Sequence, residues 1–373
     1  NENGWYVSDK VRFRQGTPEK IGGWTRISTN TFLGTCRSLW NWITLGGLNL
    51  LGVGTNLKFY IELGGAYNDI TPIRASSTIN SDPFAGDGTT TVTVTDTAHG
   101  GSTGDFVTFS GATGTYASIW NAEFQITVLT ANTYTITTGS AIPAGTYGGS
   151  SVVAAYQISV GPEIQEPLVG WGAGGWGFGT WGNGQSTQIA IRIWSQSNFG
   201  EDLIFAPRGG PMYYWDATSG VTSRGVLVSS MMGADAEVPS IMEFLLVSDT
   251  SRFVFAFGCD DYASSTQNPM LIRWSEQESV LVWEPSATNQ AGSLQLSHGS
   301  KIVTAIQARQ EIVVLTDSAI YSLQYLSPPV IWGSQLLGDN ISIAGPNAIA
   351  IGSGVVYWMG VDKFYKYDGR VQT

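Results

Sequence analysis

The acidic residues that lie closest together in the sequence are the best candidates for acid–base chemistry. Asp260 and Asp261 are adjacent, and one residue separates Glu276 from Glu278. Two carboxylates that flank a bond are what glycoside hydrolysis requires, one as general acid and the other as base or nucleophile. The first pair falls in a predicted loop and the second follows a predicted strand, which favours solvated turn acids. No D-x-D-x-D spacing supports a calcium site at the first pair.

The two histidines add little to this chemistry. His99 and His298 each lie in a predicted turn, and neither belongs to an H-E-x-x-H or H-x-H pattern. We expect both to be surface or turn residues. We therefore predict a structural protein that is not an enzyme, with no catalytic residues, no metal and no cofactor.

Residues 170–182 combine glycine with regularly spaced tryptophan. A G-x-G-x-x-G match occurs at Gly172, but a dinucleotide site needs that motif between a strand and a helix, and no helical pattern follows. Two interpretations stay open, an aromatic loop lying across the sheets or a protein–protein contact loop, because tryptophan is favoured at interfaces. Stacking on a sugar is a further alternative. The candidate subunit or adaptor contacts here are Trp171, Trp176 and Trp181.

The first 26 residues are the most basic part of the chain. The stretch Val11-Arg12-Phe13-Arg14 alternates, which predicts that Arg12 and Arg14 share one face of a strand. A solvated edge strand is one interpretation. A subunit or adaptor contact through the two arginines is the functional alternative.

Composition and charge exclude several classes of protein. The 373 residues are 42% hydrophobic and only 13% charged, which argues against disorder, coiled coils and long helices. The net charge of −11 disfavours tight binding to nucleic acid, which depends on Lys and Arg at phosphates. No apolar run reaches the ~18 residues of a membrane helix. Cys36 and Cys259 are far apart and are expected to be small buried side chains. The chain starts without Met, and we expect it to be part of something longer.

Strand signals run along nearly the whole chain, so we predict an all-β fold. Similar strand pairs recur five times, each an apolar strand, a polar turn and an aromatic strand. From the second copy on, the spacing is close to the ~40–50 residues of a four-stranded propeller blade. The class predicted is a β-propeller. The five pairs lie at residues 50–61, 203–215, 253–274, 312–323 and 355–367.

The period breaks between the first and second copies. Residues 75–157, called the insert from here on, are rich in Thr, Gly, Ser and Ala and contain no Lys or Arg. Alternation in 89–95 and 133–137 is typical of half-buried antiparallel strands. We predict a small β-barrel or sandwich inserted into the propeller, whose parts are residues 1–74 and 158–373, the latter with a Gly/Trp-rich loop at 170–184.

Several segments together resemble the tail nozzle proteins of short-tailed bacteriophages (podoviruses), also called tail tubular protein B or packaged-DNA stabilisation protein. The resemblance covers both ends of the chain and skips the insert, which is similar to small β-barrel domains of phage structural proteins. Family members continue past the sequence that resembles Arg370-Val371-Gln372. The segments that carry the resemblance are Asn3–Tyr6, Asp9–Arg14, Pro18–Trp24, Gly170–Gly182, Ile272–Ser275, Asn289–Gly292 and Tyr367–Arg370.

The resemblance implies a structural protein of the virion tail. Its partners would be copies of itself in a homohexameric ring, adaptor and portal-proximal tail proteins, and tail fibres or a needle. Genomic DNA would be retained and ejected through the ring without specific binding, and an acidic wall would let it slide. The alternative is a receptor- or glycan-binding propeller module of a phage tail. A propeller hydrolase that uses Asp260 or Glu276 is a third hypothesis.

Deletion of residues 75–157 tests the predicted domain division. We expect the remaining chain to stay soluble and to unfold cooperatively, because both ends of the insert lie on one loop. Urea unfolding followed by tryptophan fluorescence measures this. An insoluble variant, or one that unfolds without cooperativity, would refute the boundaries.

Overall fold

The computed structural model describes residues 9–23, 25, 28–79, 81–161, 191 and 193–373. Strands form most of its regular structure, and the prediction of an all-β class is confirmed. The helical elements of the described residues are one short α-helix, α1 (Ala117–Trp120), and two 3-10 turns, Ala217–Ser219 and Val228–Ser230. None of the described helices is long and apolar enough to cross a membrane.

The strands fall into a hairpin, five four-stranded sheets named I to V, and two sheets of the insert. The hairpin is β1 (Val11–Arg14) and β2 (Thr17–Lys20). Sheet I is β3 (Cys36–Ile43), β4 (Asn49–Thr55), β5 (Phe59–Leu63) and β6 (Ala66–Asp69). The insert sheets contain β7 (Ile73–Thr78), β8 (Phe84–Gly86), β9 (Thr91–Thr95), β10 (Phe106–Ser110), β11 (Glu123–Gln125), β12 (Thr127–Thr130), β13 (Thr133–Thr137), β14 (Gly145–Tyr147) and β15 (Val153–Gln157).

The later sheets follow in chain order. Sheet II is β16 (Trp194–Phe199), β17 (Asp202–Pro207), β18 (Tyr213–Trp215) and β19 (Val226–Leu227). Sheet III is β20 (Phe244–Val247), β21 (Val254–Phe257), β22 (Leu271–Trp274) and β23 (Gly292–Gln295). Sheet IV is β24 (Ile302–Gln307), β25 (Ile312–Thr316), β26 (Ala319–Tyr325) and β27 (Trp332–Asp339). Sheet V is β28 (Ile349–Gly352), β29 (Val355–Met359), β30 (Phe364–Tyr367) and β31 (Val371–Gln372).

Each of the sheets I to V is an antiparallel meander whose four strands are neighbours in chain order. The five strand pairs predicted from the sequence are the second and third strands of these sheets. Short turns are enough to join antiparallel neighbours, so each meander forms from a local stretch of chain. The repeat predicted from the sequence is therefore the central hairpin of each of the sheets I to V.

Consecutive sheets pack face to face through apolar side chains. Sheets I and II share a cluster in which the rings of Phe59 and Phe205 stack with their centroids 4.3 Å apart. Similar clusters join sheet II to III, III to IV and IV to V. A Cβ atom at Gly54 would collide with the indole of Trp194, so sheet I needs glycine there to approach sheet II closely. None of the apolar clusters found among the described residues joins sheet V back to sheet I.

The insert has its own apolar cluster. Its two sheets have the strand orders β11-β10-β15-β7 and β12-β13-β9-β8-β14. The ring of Phe84 stacks on the buried Trp120 at 4.4 Å, inside a cluster built only from insert residues. Gln157 of β15 pairs with Ile73 of β7, so the chain enters and leaves at neighbouring positions. The predicted domain division is consistent with this pairing and stays a prediction.

A buried lysine lies where the insert contacts sheet I. The side chain of Lys58 is 3% exposed, and its Nζ atom donates to Asp69 at 2.7 Å and to Glu123 of the insert. Arg224, between β18 and β19, pairs with both carboxylates at 3.4 and 3.7 Å. Gln157 donates to Glu123 at 2.5 Å. Two cations thus balance two carboxylates from two parts of the chain.

The charges around Asp69 change its pKa. Burial raises the pKa of this carboxyl, but the charges of Lys58 and Arg224 outweigh burial and hold the pKa below its ordinary value of 3.8. A pKa that is lower in the folded state means that the carboxylate stabilises the fold above the unfolded pKa. That stabilisation is lost as the pH falls through the lowered, folded value.

Replacing Lys58 by Met tests this junction. The variant leaves two carboxylates without their ammonium partner, and we expect the free energy of unfolding to fall by about 3 kcal/mol at neutral pH. Urea unfolding measures it, with Lys301→Met, a change at an exposed lysine, as the matched control. The difference between wild type and Lys58→Met should shrink as the pH falls through the lowered pKa of folded Asp69, because the carboxylate loses its charge there. Equal effects of the two substitutions would contradict the assigned role.

Candidate functional site

The hairpin β1–β2 presents the two predicted arginines. Arg12 lies opposite Glu19 and Arg14 opposite Thr17, so both arginines point to the same face of the hairpin, as the alternation predicts. Arg12 donates from Nε to Glu19 at 3.1 Å, and its side chain is 63% exposed. Their role as a subunit or adaptor contact stays a prediction. The other predicted contact residues, Trp171, Trp176 and Trp181, lie outside the described residues.

The two pairs of acidic residues are not brought together. Asp260 lies in the loop that precedes β22, whereas Glu276 and Glu278 follow the other end of this strand. Each is engaged locally: Glu276 accepts from the Gln290 amide, and Glu278 pairs with Arg252 at 2.8 Å. The arrangement that glycoside hydrolysis requires, two carboxylates on either side of one bond, is therefore not built from these pairs.

Asp260 also differs from the expected solvated turn acid. It is 3% exposed and accepts hydrogen bonds from the amide and the hydroxyl of Ser240, at 3.0 and 2.5 Å. The neighbouring Asp261 is exposed and accepts from the amide of Tyr262 at 2.8 Å. The prediction is wrong for Asp260, because the loop folds over it and supplies donors in place of water.

A buried arginine explains why Asp260 is buried. The Arg273 side chain is 1% exposed, donates to the Asp260 carbonyl at 3.1 Å and lies 3.9 Å from the Asp260 carboxylate and 3.8 Å from that of Glu237. Its guanidinium also lies over the ring of Tyr262, 4.1 Å from the centroid. A cavity of about 230 Å³ opens beside this cluster. This charged cluster could not be predicted from the sequence, because Leu271 to Trp274 are all buried and the pattern does not indicate which side of the sheet Arg273 takes.

His99 lies in the predicted turn but is buried, with 6% exposed. Its Nδ1 atom accepts from the Gly101 amide at 3.0 Å, and its Nε2 atom lies 3.0 Å from the Thr130 carbonyl. Both ring nitrogens are therefore occupied by backbone groups. His298 is exposed, as expected. Among the described residues, no three or more His, Cys, Asp or Glu side chains are placed to hold a metal ion.

An open cleft of about 700 Å³ lies where the first strands of sheets I, II and III end, and we call it the turn-side cleft. Ile43, Phe199 and Val247, the last residues of β3, β16 and β20, contribute to its wall. Because the first strands of the three sheets run side by side, the turns that follow them lie together and form the cleft. The cleft has no signature in the sequence, since the residues that line it come mainly from three separate turns.

The turn-side cleft is acidic. Carboxylates of Glu201, Asp202, Asp249 and Glu278 line it, against the single guanidinium of Arg252. Tyr214 donates from its hydroxyl to Asp202, and the pKa of this tyrosine is raised by burial and by that neighbouring carboxylate. An excess of negative charge disfavours anionic ligands such as phosphates or acidic sugars. It suits hydroxyl and amine donors, which carboxylates accept well.

No protein-family model matches the chain, and no curated protein matches its sequence. The chain is similar to a structure titled "Phage phi92 endosialidase", with 12% identity and a TM-score of 0.26. The match covers 87% of this chain and 51% of the other, so the chain spans about half the length of that structure. At this TM-score the likeness carries no argument about fold or mechanism.

One prediction from the sequence is corrected at this point. We predicted that the chain is not an enzyme, whereas the similar structure is, by its title, an endosialidase. We excluded enzymatic activity because the sequence lacks known catalytic motifs. Such motifs identify only those reactions whose catalytic residues lie at a fixed spacing along the chain. We therefore withdraw the exclusion, and the low identity assigns no sialidase chemistry to this chain.

Proposed function

We propose that the chain is a structural subunit of the tail of a short-tailed bacteriophage and forms the nozzle ring through which the genome is retained and ejected. The observation that carries the proposal is the serial packing of sheets I to V, each a four-stranded meander laid face to face on the next. Their first strands also contact one another in the order β3, β16, β20, β24 and β28. This is how propeller blades pack around a hub.

The sequence supports the place of this fold in a tail. The segments quoted above resemble tail nozzle proteins, and these segments lie on both sides of the insert. The net charge of −11 suits a wall past which DNA slides, because phosphates are repelled rather than bound. The hairpin with Arg12 and Arg14 would then contact a neighbouring subunit or the adaptor, where their charges meet acidic groups.

Immunogold labelling of intact phage particles tests the proposal. Antibody raised against the recombinant chain should label the tail of the phage that encodes it, at the end away from the capsid. Antibody that has been pre-adsorbed with the purified chain is the matched control and should give no label. Label on the capsid, or a chain that mass spectrometry fails to detect in purified particles, would contradict the proposal.

A second candidate function is receptor binding through a glycan, and the turn-side cleft favours it. Its volume of about 700 Å³ is within the range of ligand sites, and its wall combines aromatic rings with polar acceptors. The carboxylates of Asp249 and Glu278 would accept hydrogen bonds from sugar hydroxyls. Because the cleft carries four carboxylates and one guanidinium, neutral or amino sugars would bind and sialylated ones would be repelled.

A glycan array with the full chain tests this second function. We expect signals from neutral or amino glycans that weaken about tenfold in Asp249→Ala, since a hydrogen bond to a charged group is worth roughly 1.5–3 kcal/mol. Asp362→Ala removes an exposed acid elsewhere and is the control for net charge. Preference for sialylated glycans, or equal weakening by both substitutions, would contradict binding in the cleft.

A further inference from the structure

The buried Lys58 brings an amine into contact with two carboxylates. Its Nζ atom is 2.7 Å from Oδ2 of Asp69 and also contacts Oε1 of Glu123. The lysine side chain is 3% exposed, and Nζ lies 4.6 Å from the centroid of the Phe106 ring. An amine, a carboxyl group and a second carboxylate that can carry a proton are the components needed to form an amide bond between two side chains.

The two carboxyl oxygens of Asp69 have different partners. Oδ1 accepts a hydrogen bond from the backbone amide of Thr71 at 2.9 Å. Oδ2 faces Lys58 and lies 3.4 Å from Nη2 of Arg224. A backbone N–H aimed at one oxygen stabilises the negative charge that develops there when the carbon is attacked. Oδ1 is therefore placed to remain as the carbonyl oxygen, and Oδ2 is placed to leave.

Glu123 is positioned to move the protons. Its Oε1 atom contacts Nζ of Lys58, while Oε2 accepts from Nε2 of Gln157 at 2.5 Å and lies 3.7 Å from Nη2 of Arg224. These donors hold the carboxylate beside the amine. A general base must lie within hydrogen-bonding distance of the proton that it takes, and Glu123 meets this requirement at Nζ.

We propose that Lys58 and Asp69 condense to form an amide bond between Nζ and Cγ, with the loss of one water molecule. Glu123 takes a proton from the ammonium group, and the free amine attacks Cγ of Asp69. The bond from Cγ to Oδ2 then breaks. The departing oxygen receives the proton held by Glu123 and a second proton from the nitrogen, and it leaves as water. An ammonium group and a carboxylate thus become a neutral amide and water, so atoms and charge balance without an added reactant.

Burial and proximity favour this step. Charged groups are far more costly to bury than a hydrogen-bonded amide, and Lys58 has lost nearly all contact with solvent. Groups that a fold holds in the reacting geometry behave as though present at effective molarities of about 10⁵–10⁸ M. The ion pair is the reactant of the step. A condensed chain has no Asp69 carboxylate to protonate, so the pH dependence expected of Lys58→Met belongs to chains that have not condensed.

The bond closes the part of sheet I that leads into the insert. Lys58 immediately precedes β5 and Asp69 is the last residue of β6, the strand before β7. A covalent link here holds the two strands together when their hydrogen bonds open. This inference goes beyond the proposed function and does not depend on it.

Mass spectrometry of the denatured full chain tests the bond. The wild type should weigh less than its sequence by the mass of one water molecule. Trypsin cuts after unmodified Lys and Arg, so an unlinked chain gives the separate peptides 38–58 and 59–74. A linked chain gives the single peptide 38–74, because the modified Lys58 is not cut, and fragmentation should locate the link at Asp69. A wild type of full mass that yields the two separate peptides would overturn the proposal.

Substitutions test the roles of the amine and of the proton carrier. Lys58→Arg keeps a cation but supplies a guanidinium that stays protonated, so its chain should have the full mass. Glu123→Gln keeps the shape of the side chain but cannot carry the proton. It should slow bond formation about 100-fold or more, followed as the linked fraction at intervals after cell-free synthesis. Lys301→Arg, a change at an exposed lysine, is the matched control and should link like the wild type.

The remaining outcomes are also decisive. A peptide 38–74 joined to the peptide 75–192 would place the link on Glu123 and overturn the assignment of Asp69. A Glu123→Gln chain that links as fast as the wild type would overturn the role of Glu123. Circular dichroism shows which variants are folded. The wild-type mass needs no substitution, so a variant that fails to fold leaves the test of the bond intact.

Discussion

A four-stranded meander has two faces, and the need to cover both is the constraint on which the rest of this structure depends. Sheets II, III and IV meet this need by packing one face on the sheet before and the other face on the sheet after. Sheets I and II must approach each other closely. Glycine is needed at position 54 because a Cβ atom there would collide with the indole of Trp194. Among the described residues, sheets I and V each pack on another sheet of the series through one face.

Charged side chains are few in this protein, and two groups of buried or partly buried ones pair opposite charges. Lys58 and Arg224 meet two carboxylates at the junction with the insert, and Arg273 meets Asp260 in a loop of sheet III. A buried charge without a partner is strongly destabilising, so each group fixes the position of the loops that supply its members. Apolar packing sets the order of the sheets, and these ionic groups set where the connecting segments lie.

The sequence predicted those elements whose residues lie close together in the chain. The central hairpins of sheets I to V follow from apolar strands, turns and aromatic strands that are close together in the chain. The outermost strands of sheets II and V were missed, because β19 and β31 have only two residues each and a pattern that short has no periodicity. The turn-side cleft and the Arg273 group were missed for a different reason. Their members come from separate turns or from the inward side of a fully buried strand, and only the packing brings them together.

The pairing of Ile73 with Gln157 has a consequence for how such a chain can evolve. A domain inserted here, as the sequence predicts, would bridge only one strand spacing, about 5 Å, so a segment of almost any length could occupy the gap without stretching the sheets on either side. Exchange of one inserted module for another by recombination would then leave the sheets on either side intact. The same opening offers a place where a fluorescent protein or an affinity tag can be grafted internally.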